Sequence, residues 1–247
     1  HPGAIGSPAI TRLLSVVIPA FNERGTIEEL LRRVAAAPLP PGIGLEIVVV
    51  DDGSTDGTRD LLRRLVAGRS PAEPPLRIFE QAENQGKGAA LRRGFAAASG
   101  EWIVVQDAVL EYDPRDYRNL LQPVLEDGAD VVYGSRFTGG PHRVLFYWHF
   151  LGNQFLTTVS NMFSDLNLSD METCYKLFRR SLLAGVTLKS NRFGIEPELT
   201  ARFSRLRARI YEVPISYHGR TYAEGKKIGW RDGFAALWAI VRYNRFR

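Results

Sequence analysis

The chain has 247 residues, 45% of them hydrophobic and 24% charged, a composition that suits one substantial globular α/β domain. A net charge of +5 and a pI of about 9.5 suit an anionic partner such as a nucleotide, a lipid phosphate or a membrane surface; no nucleic acid is expected, because the basic residues sit among acidic loops. The single cysteine, Cys174, excludes a disulfide framework and a cysteine zinc cluster, and the four histidines, His1, His142, His149 and His218, lack the spacing of a histidine metal site.

Residues 1–12 open on the Pro- and Gly-rich "HPGAIGSPAI", read as a frayed terminus or a remnant outside the fold, with no signal peptide. The short β-branched runs "LLSVVIP" (Leu13–Pro19), "LEIVVV" (Leu45–Val50), "LRIFE" (Leu76–Glu80), "EWIVVQ" (Glu101–Gln106) and "ADVVYG" (Ala129–Gly134) predict strands. Helical spacing falls between them, over Thr26–Ala37, Thr58–Val66, Gly88–Ala98 and Asp116–Leu125. This alternation implies crossover units and a largely parallel sheet buried on both faces. After about Gly140 the chain turns aromatic. "CYKLFRR" and "ARIYEVPISY" predict further strands, "IEPELTARFSR" and the tail from Trp230 further helices, packed on the same sheet with no linker. Val144–Ser164 is the longest run without Asp, Glu, Lys or Arg, yet it is too polar to span a membrane.

In a parallel sheet, ligands sit outside the carboxyl ends of the strands. The loops there read "AFNERGT", "DDGSTDGT", "QAENQGKG", "DAVLEYDP" and "GSRFTGG". Helix capping and turns account for about one residue per loop, which leaves surplus carboxylates converging on one edge. "QGKGAA" lacks P-loop spacing, and no G-x-G-x-x-G opens the first helix. A nucleotide is then held by carboxylates at its base and ribose, with Mg²⁺ or Mn²⁺ neutralising its phosphates; Asp107 and Glu111 are the natural ligands for that hard cation.

"SVVIPAFNE", "IVVVDDGSTDGT", "NQGKGAAL", a D-A-x strand end and "GSRF", in this order, resemble the family 2 nucleotide-sugar glycosyltransferases, and within them the dolichyl- or polyprenyl-phosphate mannose and glucose synthases. The resemblance runs from about Leu13 to Trp230. It implies a GT-A, Rossmann-like, mainly parallel sheet with helices on both faces, and inverting transfer of a hexose from a donor such as GDP-mannose or UDP-glucose to a polyprenyl phosphate lipid. By position it assigns Pro19, Phe21 and Glu23 to the base-binding loop, Asp52 with Val50 and Asp51 to the ribose or base, and Lys87, Asp107 and Ala108 to the donor. The family's D-A-D-L motif falls on Asp107, Val109 and Glu111, so the middle ligand is missing and Asp107 and Glu111 remain for the metal.

The resemblance also places the acceptor phosphate against Arg136, Arg143, Arg220 and Lys227, and gives Asp107 and Arg136 the catalytic roles. It divides the domain, 13–228, into a donor part over 13–135 and an acceptor part over 136–228, followed by an amphipathic helix over 229–247. Trp230, Phe234, Leu237, Trp238 and Val241 share one face of that helix beside Arg231, Arg242, Arg245 and Arg247, as in helices that lie on anionic bilayers. The implied location is the cytoplasmic face of a membrane. A phosphate monoester acceptor, with a second pKa of about 6, attacks without a general base. A hydroxyl acceptor needs one, and Glu196 or Glu198 is then the candidate. The valine leaves a third reading open, a protein that binds nucleotide without turning it over.

Overall fold

The computed structural model describes residues 11–139, 146–219 and 230–244. Among them, strands β1 (Arg12–Ala20), β2 (Ile43–Asp51), β3 (Leu76–Glu80), β4 (Trp102–Val105), β5 (Val131–Ser135), β6 (Lys176–Arg179) and β7 (Ile210–Pro214) form one sheet in the order β3-β2-β1-β4-β6-β5-β7. The expected strands and their largely parallel pairing are found. Only β6 runs antiparallel, to both β4 and β5. It comes from the later part of the chain and lies between two earlier strands, so one sheet carries both parts.

The apolar runs of β1, β2 and β4 become strands because both of their faces are covered. Ile47, Val48, Val49 and Val50 are fully buried, as are Val16, Val17 and Ile18. The covering helices are α1 (Ile27–Ala35), α2 (Thr58–Ala67), α3 (Lys87–Ala97) and α4 (Tyr117–Glu126). In α1 the apolar residues recur at helical spacing, and Ile27, Leu30, Leu31 and Val34 face the sheet. α3 lies closest: a Cβ on Gly94 would collide with the Val17 side chain, so only glycine permits this approach.

The chain order on either side of β1 reverses, with β2 on one flank and β4 on the other. Their carboxyl ends, Ala20, Asp51 and Val105, therefore open a crevice at one edge, the usual place for a ligand in such sheets. Helices α5 (Tyr147–Ser164), α6 (Ile195–Arg205) and α7 (Trp230–Asn244) pack together beside β5–β7.

α7 docks through Ala236, Ala239 and Ile240 and turns Phe234 and Trp238 outward, at 66% and 62% exposure. The aromatic part of its expected face is thus the solvent face. α5 likewise leaves Tyr147, Trp148, Phe155 and Met162 exposed, with Trp148 77% exposed. No described helix is long and apolar enough to cross a membrane. Arg245 and Arg247 and the side chains of Trp230 and Arg231 lie outside the described residues.

Candidate functional site

The crevice is laced together by its own loops before any ligand is considered. Asn22, with φ +56°, turns the chain after β1. Its amide N–H donates to Ser54 Oγ (3.0 Å) and its Oδ1 accepts from Thr55 N–H (2.8 Å). Glu23 N–H donates to Thr58 Oγ1 (3.0 Å), and Thr26 Oγ1 donates to the carbonyl of Ala108 (2.8 Å). Pro19 pairs with Val50 across the β1–β2 register, and Phe21 stands half exposed at the rim. The loops after β1, β2 and β4 thus form one wall.

Asp51 and Asp52 were expected to face a ligand, but both carboxylates are committed within the protein. Asp51 is buried and ion-paired with Arg59 at 2.7 Å, although its Oδ1 has no partner. Asp52 accepts from Gln81 Nε2 (2.5 Å), Gln85 N–H (2.8 Å) and Gly86 N–H (2.8 Å). A buried carboxylate needs such donors, and here they fix the turn that delivers Lys87. Gly86, at φ +97°, and Gly88 admit no Cβ, because the carbonyls of Asn191 and Ser190 press against them.

Lys87 is the centre of the site. Its Nζ lies 2.7 Å from Asp107 Oδ1 and 2.8 Å from Glu196 Oε1. Burial alone would lower its pKa, but the two carboxylates outweigh burial and hold it well above the ordinary lysine value. Asp107 follows β4, and its backbone N–H donates to Cys174 Sγ at 3.1 Å. The Cys174 thiol is buried and pushed well up, first by burial and then by Asp107. Glu196 sits in the first turn of α6, and its Oε2 is buried with no partner. Glu198, one turn-step on, accepts the N–H groups of Lys189 and Ser190, both at 2.7 Å. It is a loop anchor, which removes it as a general base.

Val109 is buried and cannot ligate. Glu111 accepts from Tyr217 Oη at 3.1 Å, and its carbonyl accepts from His218 N–H at 2.9 Å. No group of three or more His, Cys, Asp or Glu suited to a metal occurs among the described residues. Asp107 and Glu111 nonetheless fit the way Mg²⁺ and Mn²⁺ are held beside nucleotides, by one or two carboxylates with phosphate oxygens and water completing the shell.

Arg136 follows β5. Its Nε and Nη2 bind the two oxygens of buried Asp170, each at 2.7 Å, and Nη2 also reaches Asn153 Oδ1 of α5 at 3.2 Å. Its guanidinium lies over the rings of Phe137 and Tyr217, 5.4 and 5.3 Å from their centres. Burial pushes the Asp170 carboxyl up, but Arg136 more than offsets it and the net shift is downward. Arg136 is therefore anchored as a fork on Asp170 and joins the loop after β5 to α5. Arg143, Arg220 and Lys227 lie outside the described residues, as do His142 and Lys226.

Sequence reasoning passed over "SDMETC". Because β6 is antiparallel, the residues before it, not after it, lie at the carboxyl edge of its neighbours. That brings Asp170, Glu172 and Cys174 to the site. Glu172 has a buried Oε1 with no partner, and burial together with Glu196 pushes its carboxyl up to about 8. The acidic cluster directly before a strand was the available signal; strand direction was what the sequence did not reveal.

Residues 15–186 match the family described as "Glycosyl transferase family 2". The chain is 29% identical over 219 residues to a dolichol-phosphate mannosyltransferase of Pyrococcus furiosus, covering 87% of this chain and 59% of that protein. It is 30% identical over 216 residues to a dodecaprenyl-phosphate galacturonate synthase of Rhizobium johnstonii, covering 86% of this chain and 61% of that protein. The chain thus spans about three-fifths of the curated relatives it matches. Among solved structures, it superposes on the glucosyl-3-phosphoglycerate synthase of Mycobacterium tuberculosis, crystallised with Mn²⁺, UDP and glucosyl-3-phosphoglycerate. The TM-score is 0.70 at 22% identity, over 96% of this chain and 81% of that one, a likeness of fold. A mainly parallel GT-A sheet, acidic loops gathered at its carboxyl edge, and a family match over most of its length agree: the chain belongs to glycosyl transferase family 2.

Proposed function

We propose that this chain transfers a hexose, mannose or glucose, from a nucleotide diphosphate sugar to a polyprenyl phosphate, with inversion, at the cytoplasmic surface of a membrane. The observation that carries the reading is the set of exposed aromatics on α5 and α7, two helices that pack together, with α5 joined to the loop after β5 by the Arg136–Asn153 hydrogen bond. A lipid acceptor needs an apolar bed next to the cations that receive its phosphate.

The donor's nucleotide lies over the loops after β1 and β2, with Pro19, Phe21 and Glu23 at the surface it meets and the buried Val50, Asp51 and Asp52 supporting those loops from beneath. Its diphosphate meets Lys87 at the N-terminus of α3, where backbone N–H groups also favour anions. The acceptor phosphate, mostly dianionic near neutral pH, attacks the anomeric carbon from the face opposite the leaving group. A new C–O bond to the acceptor forms as the bond to the nucleoside diphosphate breaks, and the departing oxygen takes the electron pair. Lys87 stands where that charge grows. Asp107 and Glu111 would hold a divalent cation, whose charge would further neutralise the diphosphate. Arg136 shapes the acceptor entrance, with Arg143, Arg220 and Lys227 as further acceptor cations.

A second reading is favoured by one atom. Glu196 Oε2 is buried without a partner next to Lys87, and an enzyme with a hydroxyl acceptor requires a base of this kind. Transfer from GDP-mannose and from UDP-glucose, each with Mn²⁺, to polyprenyl phosphate in anionic vesicles and to soluble sugars separates the two. The lead reading expects transfer to the lipid, little to the sugars, and a lipid activity that survives Glu196→Gln better than Lys87→Met. Transfer to sugars alone, abolished by Glu196→Gln, overturns it.

A further inference from the structure

A cavity of about 400 Å³ opens between the segment 185–189, the flank of α6 and the end of α7. Four cations line it, Lys189, Arg202, Arg205 and Arg242, against the single carboxylate of Glu198. That carboxylate is already satisfied by the N–H groups of Lys189 and Ser190. Among the described residues, no carboxylate forms an ion pair with any of the four cations. Arg202 Nε is buried and has no hydrogen-bond partner.

Arginines in the last turn of a helix commonly face its own negative end, as Arg202 and Arg205 in α6 and Arg242 in α7 do by position. Their side chains, however, donate to no described carbonyl; Arg242 only lies over the Tyr243 ring, 5.7 Å from its centre. Like charges gathered without counter-charge repel one another, and a buried guanidinium N–H without an acceptor costs about 1–3 kcal/mol. An anion with several oxygens removes both penalties, and arginine forks suit phosphate.

We propose that this cavity is a binding site for a phosphate-bearing anion, separate from the donor cleft. It does not rest on the proposed transfer reaction. Its wall reaches that cleft through one short segment. Ser190 Oγ donates to Tyr243 Oη at 2.9 Å. The Ser190 carbonyl accepts from Arg92, and the Asn191 carbonyl accepts from Ala89 N–H at 3.1 Å, beside the turn that presents Lys87. Phosphate chemistry of this kind comes either from a soluble phosphate compound or from a lipid headgroup, since Trp238 is exposed one turn before Arg242.

The test titrates the full chain with inorganic pyrophosphate and, separately, with vesicles of phosphatidylglycerol in phosphatidylcholine. The Arg202→Gln/Arg242→Gln variant is compared with an Arg64→Gln/Arg118→Gln control, which removes equal charge from exposed positions on α2 and α4. Lys87→Met marks pyrophosphate bound in the donor cleft, and those sites are counted apart. The expected result is about tenfold weaker binding in the Arg202/Arg242 variant, which the control does not share. Loss in the pyrophosphate titration assigns the site to soluble phosphates, and loss confined to vesicles assigns it to a headgroup. Unchanged binding in both, or equal loss in the control, overturns the proposal. Should the double variant fold poorly, Arg205→Gln, at an exposed position, is read by the same criteria.

Discussion

Lys87 and Asp107 form a 2.7 Å ion pair that spans the crevice from the N-terminus of α3 to the end of β4. Glu196 completes the arrangement from α6, 2.8 Å from the same ammonium. The site's positive charge is thus placed by three separate elements, in surroundings that exclude most water. Lys87→Met removes the group that the proposed reaction sets against the leaving diphosphate. Loss of one such preorganised group lowers kcat by about 100- to 1,000-fold. Steady-state kinetics should show that fall, with a smaller change in nucleotide affinity by calorimetry.

Val109 stands between Asp107 and Glu111, the two carboxylates proposed to hold the cation, at the place where the resembling family has an aspartate. It is buried, so Val109→Asp places a carboxylate where water is scarce, a loss unless a cation arrives. The variant should melt below the parent chain without metal and regain the difference with Mn²⁺. A ligand present at about 100 times its Kd adds roughly 2.7 kcal/mol. Thermal melts with and without Mn²⁺ check this apart from activity. A melting curve indifferent to Mn²⁺ would show that residue 109 does not face the cation.

The fork of Arg136 on Asp170 is fully withdrawn from solvent on the Asp170 side. Breaking a buried pair from one partner leaves the other charge uncompensated, at a loss of about 3–5 kcal/mol. Arg136→Ala should therefore lower unfolding stability by that amount in denaturant titrations. Arg136→Lys keeps the charge but not the two-pronged geometry, and should fall between. If acceptor use falls in Arg136→Lys while nucleotide affinity holds, the acceptor-side role stands.

Much of this fold was legible because parallel strands buried on both faces must be apolar throughout, as "LEIVVV" is, and because helices between them repeat at 3.6 residues. The carboxyl-edge rule put the loops bearing Lys87 and Asp107 at one edge, and in the structure the two side chains meet there. For Asp52 the rule did not reveal the partners, because an acid after a strand serves a ligand and a turn equally well in sequence, and here it clasps Gln85 and Gly86. Glu172 escaped because its approach to the edge depends on the antiparallel course of β6, a long-range pairing with no local signature. In α7, by contrast, helical spacing already grouped Phe234 with Trp238, and the structure leaves both exposed while Ala236, Ala239 and Ile240 dock.

Glu172 yields a prediction in pH. Its carboxyl is pushed up to about 8, first by burial and then by Glu196, with Lys176 and Arg136 opposing. In the unfolded chain it titrates near the ordinary value of 4.5. Between these values the folded state holds a proton that the unfolded state has lost, so unfolding free energy falls as pH rises, by at most ~1.4 kcal/mol per pH unit. The stabilising contribution is complete below about pH 4.5 and gone once pH has risen through about 8. Glu172→Gln imitates the protonated carboxyl at every pH. Urea titrations at about pH 5 and pH 8.5 should then find the variant similar to the parent in acid and more stable in base, by roughly 1–3 kcal/mol. Equal stability at the higher pH would mean that Glu172 ionises freely, and that its unpartnered oxygen finds a donor when the protein is in solution.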